Sequence, residues 1–172
     1  MEVNSLEIIE IKKQIILRLE ENTPRIEMCV ATLTEAEVWQ RPNPVSNSVG
    51  NLILHLCGNI TQYAIASLGN EPDARDRDAE FAAEGGFSKL ELLDKLASTV
   101  ARAVETIRRA SREELLRERT VQGFQMSGIG IMVHVCEHYS YHTGQIAFWT
   151  KLLKNKDLGF YAGVDLTVRN QD

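Results

Sequence analysis

Apolar residues recur at helical spacing in four long segments of the chain. From Leu6 to about Leu33, Ile8, Ile11, Ile15 and Leu19 form one stripe, which predicts an amphipathic helix. Pro24 lies inside that pattern, so a kink or a break is expected there. Thr34-Glu35-Ala36-Glu37 is a capping-box pattern for a short helical turn ending near Trp39, and Arg41-Pro42-Asn43-Pro44 stops it. A second long helix opens at Asn47 or Ser48 and runs to about Leu68, with Gly69-Asn70 as its stop. The third begins at the capping box Ser88-Lys89-Leu90-Glu91 and carries Leu93, Leu96, Ala97, Val100, Val104 and Ile107 before ending near Ala110. A short turn from Ser111 and a glycine-rich loop or extended stretch from Thr120 to Gly130 lead into the last helix, which ends near Lys154. The tail beyond has strand-like letters and no evident partner. Four long helices predict an all-α fold, a single four-helix bundle in one domain over residues 1–172.

The connection between the second and third long helices, residues 71–87, is long for a compact domain. Its mixed charges, Asp73, Arg75, Asp76, Arg77, Asp78, Glu80 and Glu84, read as a solvated loop. Its length lets the next helix cross over the bundle instead of packing as a hairpin. Arg41, Arg75 and Arg77 could meet an anionic substrate, but surface salt bridges are the expected role.

The second helix interrupts its apolar pattern with Asn51, His55, Asn59 and Gln62, spaced as a polar stripe. Such a stripe either faces solvent or forms a seam lining an internal site. The last helix carries the other three histidines, His134, His138 and His142, at four-residue spacing, so they stack along nearly one face. Ile131, Val135, Ile146, Trp149 and Leu153 share that side, which makes it the core face. Buried imidazoles without partners lose their hydrogen bonds to water, so these histidines require partners. One possibility is that they are simply satisfied by hydrogen bonds; the other is a metal.

Geometry limits the second possibility. Neighbouring histidines at i and i+4 have Cβ atoms ~5–6 Å apart and can reach one ion. His134 and His142 are ~12 Å apart along the axis and cannot. The pair is therefore His134/His138 or His138/His142. With His55 from the second helix, such a pair gives a three-histidine site with an open position, which suits catalysis better than structure. Imidazole suits zinc, nickel, iron and copper alike.

Rival motifs fit poorly. His134-Val135-Cys136-Glu137-His138 matches an H-x-x-E-H metalloprotease pattern, yet no glutamate follows Glu137 to complete the ligand set. A di-iron carboxylate bundle requires Glu-x-x-His pairs, and Ser140 stands where Glu137 would need a histidine. Cys57 and Cys136, two residues from His55 and His138, point about 200° round the helix from them. Buried thiols are expected for both and for Cys29.

Composition narrows the class of protein. The 172 residues carry 44% apolar side chains and a net charge of −5, which fits a globular domain and excludes a general nucleic-acid binder. No apolar run approaches the ~20 residues that span a bilayer. The start, Met1-Glu2-Val3-Asn4, lacks a signal peptide's basic and apolar regions. Three cysteines without a CxxC pair suit reduced thiols and a cytoplasmic location.

The segments Asn47-Ser48-Val49-Gly50-Asn51-Leu52-Ile53-Leu54-His55-Leu56-Cys57-Gly58-Asn59 and His138-Tyr139-Ser140-Tyr141-His142-Thr143-Gly144-Gln145-Ile146 resemble the DinB-like (YfiT-like) metalloenzyme superfamily. The likeness extends in order from Trp39-Gln40-Arg41-Pro42 to Gln145, and the loop Arg75-Asp76-Arg77-Asp78-Ala79-Glu80-Phe81 resembles an uncharacterised bacterial branch of it. The resemblance implies a four-helix bundle with His55, His138 and His142 as ligands of a divalent transition metal, zinc or nickel. His134 becomes a neighbour one turn away, and Asn59, Gln62 and Gln145 flank the site as pocket residues or hydrogen-bond partners. It further implies a low-molecular-weight thiol as cosubstrate, transferred to a small-molecule electrophile, and a homodimer. Metal-assisted hydrolysis and a non-enzymatic, metal-stabilised bundle are the alternatives.

Overall fold

The computed structural model describes residues 5–170; the reading of residues 1–4 as no signal peptide lies outside them. Four long helices form the body: α1 (Leu6–Thr32), α3 (Val49–Ile60, extended by a π-helical segment Thr61–Leu68), α5 (Lys89–Arg109) and α7 (Gly128–Lys154). Short helices α2 (Glu35–Trp39), α4 (Arg77–Ala82) and α6 (Arg112–Leu116) lie in the connections. A small antiparallel hairpin, β1 (Glu118–Val121) and β2 (Phe124–Ser127), occupies the stretch expected to be loop or extended chain. Its two-residue turn places Gln122 and Gly123 at φ of 50° and 83°, the backbone that matches strand twist. No helix among the described residues is long and apolar enough to cross a membrane.

The predicted caps form. Thr34 with Glu37, Ser48 with Asn51 and Ser88 with Glu91 all make reciprocal capping boxes, satisfying amide donors that the first helical turn leaves open. A break at Pro24 does not occur, since α1 continues as helix through it. The tail after α7 forms turns, not strands, among the described residues.

Each long helix packs against two others, in the ring α1–α5–α3–α7. Thr23 meets Tyr139 at 2.8 Å and Lys154 meets Glu37 at 2.8 Å, so α1 and α7 run parallel. Lys12 donates to the carbonyls of Arg108 and Ala110, while Lys89 reaches Leu33, so α5 is antiparallel to α1. Trp39 bridges the N-terminal ends of α3 and α5, covering Gly50 and donating to the Phe87 carbonyl at 3.1 Å, and Thr106 touches Gly69 at the other ends. The order is therefore up–down–down–up, and α3 and α5 point the same way. The connection between them must return the whole length of α3, which is the long crossover the sequence predicted.

Two apolar stripes sit differently from their predicted register. On α1 the buried positions are Ile8, Lys12, Ile16 and Leu19, while Ile11 is exposed and Ile15 half-buried. Lys12 explains the rotation: its aliphatic stem is buried and its ammonium donates to carbonyls at the C-terminus of α5, where positive charge is favoured. On α5, Leu92 and Ala103 are buried whereas Leu93 is half-buried and Ala97 exposed.

Candidate metal centre

The polar stripe of α3 faces inward. Asn51, His55 and Asn59 are buried, and Gln62 is half-buried. Because α3 and α7 run antiparallel, each turn of one meets a turn of the other in reverse order. Asn59 donates to His134 Nε2 at 3.2 Å, and one turn further His138 Nε2 lies 2.9 Å from His55 Nε2. One nitrogen from each of His55, His138 and His142 falls within a 4.8 Å cluster. Ligand nitrogens around a tetrahedral ion lie about 3.3 Å apart, given bonds of ~2.0–2.1 Å. Small side-chain rotations bring the three to that spacing, so the trio could hold an ion.

Two of the three rings are fixed from behind. His55 Nδ1 lies 3.0 Å from Glu80 Oε2, and His142 Nδ1 lies 2.7 Å from Gln145 Oε1. In each case Nδ1–H donates to the oxygen, which leaves Nε2 with its lone pair toward the cluster. Burial pushes His138 down to about 3, reinforced by the charges that His142, His55, His134 and Arg75 would place beside it. Burial also lowers His142, to about 4, against the Gln145 hydrogen bond that favours its charged form. Both are neutral at neutral pH, the state a metal requires.

His134 belongs to an adjoining layer. Its ring stacks on Tyr63 at 4.0 Å, offered by the π-helical segment, and on His138 at 5.3 Å. Burial lowers its pKa as well. It therefore wedges His138 in place.

The connection 71–87 is largely solvated, as its charges suggest, with Asp73, Asp76, Arg77, Asp78 and Glu84 exposed, but Arg75 and Glu80 turn inward. It runs back along α3, and α4 docks where Asn51 donates to the carbonyls of Glu80 and Ala83 at 3.0 and 2.7 Å. Arg75, expected at the surface, has a side chain only 3% exposed. Its guanidinium grips Glu80 with two bonds of 2.7 and 2.8 Å and reaches Gln62 at 3.0 Å; Gln62 in turn donates to Asp73 at 2.7 Å. The result is a chain His55–Glu80–Arg75–Gln62–Asp73 leading from the cluster to the surface. Burial alone would raise the Glu80 carboxyl, but the Arg75 hydrogen bonds, then His55, outweigh it and hold the pKa below the ordinary value. Arg41 donates to the Phe81 carbonyl at 2.6 Å, and Arg77 lies over the Phe81 ring, which lies tilted against His55 with centroids 4.7 Å apart. Neither arginine makes an ion pair among the described residues, so the surface salt bridges expected for all three are absent.

Glu80 is the site residue that sequence spacing missed. One signal for it exists in Gly58, an interior helical glycine three residues after His55. A Cβ at Gly58 would overlap the Glu80 carboxylate, so only glycine lets the carboxylate cross α3 to reach the imidazole. The thiols take no part in the cluster. Burial pushes Cys29 and Cys57 up to about 11 and raises Cys136, which makes them poor nucleophiles. Glu137 is exposed.

The fold is similar to those of YfiT and of DinB-like proteins of known structure. A family model described as a protein of unknown function (DUF1572) matches residues 8–162, and the chain belongs to that family. Among solved structures, a conserved protein from Enterococcus faecalis is 20% identical, with a TM-score of 0.71 over 84% of this chain and 97% of that one. YfiT from Bacillus subtilis, described as "a probable metal-dependent hydrolase with an unusual four-helix bundle topology", is 16% identical, with a TM-score of 0.71 over 90% and 92%. A DinB-like protein from Bacillus subtilis is 14% identical, with a TM-score of 0.64 over 84% and 94%. A comparison with curated proteins found no match.

Proposed function

We propose that His55, His138 and His142 hold a divalent transition metal, zinc or nickel, and that the protein is a metal-dependent enzyme transferring a low-molecular-weight thiol to an electrophile. The observation that carries this reading is the cluster of three imidazoles with no carboxylate among its donors. A divalent ion held only by neutral ligands keeps its full charge, and a cation of that kind favours the thiolate form of a thiol. His55 and His142 are oriented by Glu80 and Gln145, and His138 is set between His142 and His134. The thiol would give up its proton to solvent on entering, its sulfur would form the new S–C bond, and the leaving group would depart with its electron pair.

Thiol transfer is preferred to hydrolysis because of where the carboxylates lie. A thiol, with a free pKa of ~8.5, gives its proton to solvent far more readily than water does, so hydrolysis depends more on a nearby base. Glu80, the buried carboxylate beside the cluster, is committed to Arg75 and His55, and Glu137 is exposed. The second reading, metal-dependent hydrolysis, draws its support from the description of YfiT. The resemblance also extends this reading to one domain over residues 1–172, a homodimer and a cytoplasmic location; the three free cysteines support the last.

Metal analysis of the purified protein, its His55→Ala and its His138→Ala variants is the test. One equivalent of zinc or nickel is expected, lost in both variants, together with loss of thiol transfer to a model alkylating electrophile. Absence of metal would sink the reading. Turnover of a labile ester without added thiol would transfer support to hydrolysis. A metal that raises Tm while neither reaction is catalysed would make the ion purely structural.

A further inference from the structure

On the far side of α3 from the histidines, a cleft of about 470 Å³ separates the crossover from α5. This volume falls within the ~300–1,000 Å³ of small-molecule sites. Its floor is α3 from Leu54 to Ile65, roughly 15 Å long at about 1.5 Å per residue. Along the crossover wall stand Pro72, Ala74, Ala79, Ala83 and Phe87, all apolar and at least partly exposed. The connection that supplies them is otherwise mostly charged, so its apolar side chains are gathered on one side of the cleft.

The charges bordering the cleft cancel except for one. Arg75 pairs with Glu80 at 2.7 Å and Arg102 with Glu71 at 2.8 Å. Asp76 caps α4, accepting from the Ala79 amide at 3.0 Å. Lys95, exposed on the α5 wall, has no carboxylate partner among the described residues. The cleft also reaches the support of His55. Arg75 and Glu80 belong to its lining, and the Glu80 carboxylate crosses the floor at Gly58 on its way to the imidazole. No hydrogen bond joins α4 to α5 among the described residues; α4 is held to α3 through Asn51.

We propose that this cleft binds an elongated apolar molecule ending in a carboxylate, and that its occupation tightens metal binding by the three histidines. The carboxylate pairs with Lys95, and the apolar body lies along α3 against the crossover wall. An occupant of that shape bridges α4 to α5 and so holds Glu80 behind His55. It binds better when the crossover is docked, and a ligand shifts an equilibrium by just such a difference in affinity. The coupling rests on the metal reading above; the site itself does not.

Calorimetric titration of metal-free protein with decanoate, 1-decanol and decylammonium, which share one tail, tests the site. Decanoate is expected to bind once per chain, about three- to fivefold tighter than the alcohol, the worth of one partly exposed ion pair. Decylammonium should bind weakest. Lys95→Gln should remove the preference for decanoate over decanol. Ala79→Trp, at an exposed position on the cleft wall, should weaken both at least about tenfold by filling the space. Lys13→Gln, on the exposed side of α1, should change neither. Zinc affinity is then measured by chelator competition with and without decanoate. Decanoate should tighten zinc binding about fivefold or more, and zinc should tighten decanoate by the same factor. Without decanoate, Lys95→Gln should bind zinc as the native protein does. Equal binding of the three amphiphiles, or a loss in Lys13→Gln in place of Lys95→Gln, would overturn the site. Binding that leaves zinc affinity unchanged would overturn the coupling with the metal reading intact. Protein that binds no zinc would overturn the metal reading and the coupling together, while decanoate binding that depends on Lys95 would uphold the site.

Discussion

His55 and His142 present the same atom to the cluster but are held in different ways. His142 is oriented by Gln145, three residues along its own helix, through a neutral amide. His55 is oriented by Glu80, 25 residues away on a separate short helix, through a carboxylate that is itself gripped by Arg75. The local arrangement follows whenever α7 is helical. The distant one requires the crossover to fold back along α3, with Asn51 and Gly58 both in place. A carboxylate behind an imidazole also raises its basicity as a ligand, which a neutral amide does less. The bundle thus places its stronger support on the histidine that comes alone from its helix.

Breaking the distant arrangement should have the largest effect. Glu80→Ala leaves the Arg75 guanidinium buried without a counter-charge, which costs about 3–5 kcal/mol. Losing the His55 partner should weaken zinc binding by about 10–100-fold. Denaturant unfolding and a competitive zinc titration read the two effects separately. Replacing the pair together, Glu80→Leu with Arg75→Met, should recover most of the stability, since apolar substitutes for buried ion pairs are often neutral or better. Zinc affinity should stay low in that double variant. Recovery of both would mean that Glu80 serves only to neutralise Arg75.

Gly58→Ala should come next. Alanine in a helix interior normally gains about 1 kcal/mol over glycine. Here the added methyl must displace the Glu80 carboxylate, so a net loss of about 1–3 kcal/mol is expected, the usual cost of overpacking. Zinc affinity should fall in parallel with that of Glu80→Ala. A stabilised variant with unchanged affinity would show that the carboxylate does not cross α3 in solution.

The same contrast explains what could be read from the residues alone. His134, His138 and His142 announce themselves because a helix has a fixed period, and the four-residue spacing already excluded one pairing. Capping boxes at Thr34, Ser48 and Ser88 are likewise local chemistry and mark helix starts within a few residues. The length of the 71–87 connection foretold the crossover. Most of its charges are solvated as read, but Arg75 and Glu80 escape that reading because they cancel each other once buried, and burial is decided by residues such as Asn51 and Gly58 that lie far off in sequence. Lys12 misled for the same reason: its partners are backbone carbonyls of α5, invisible in any side-chain pattern. The choice of His142 over His134 came from resemblance, and the structure brings His142 to the cluster while His134 stacks one layer away.

The α7 side can be tested with protons. In the unfolded chain the imidazoles titrate near the ordinary ~6.5, whereas burial lowers His138 to about 3 and His142 to about 4 in the fold. Between those values the unfolded chain binds more protons, so stability increases with pH. The contribution of both groups is complete above about pH 6.5 and is lost as pH falls toward 4 and then 3. Metal-free protein should therefore lose Tm on acidification through this window. His138→Gln should flatten the slope by about one proton. An unchanged slope would place His138 in water.

The smallest expected effect is at Gln145. Its side chain is largely exposed, so Gln145→Leu should alter unfolding free energy by no more than about 0.5 kcal/mol. His142 would keep its position on α7 and its contact with the cluster, losing only the acceptor that selects its tautomer. Loss of such an outer partner weakens metal binding at the low end of about 10–100-fold, and Gln145→Glu should restore it, because a carboxylate accepts the same Nδ1–H. That variant also turns the α7 arrangement into a copy of the α3 one, a carboxylate behind each of two imidazoles. If Gln145→Glu binds zinc more tightly than the native protein, the advantage of the His55 support lies in its charge. If it binds only as well as native, the advantage lies in the rigidity supplied by Arg75, which the exposed position on α7 cannot reproduce.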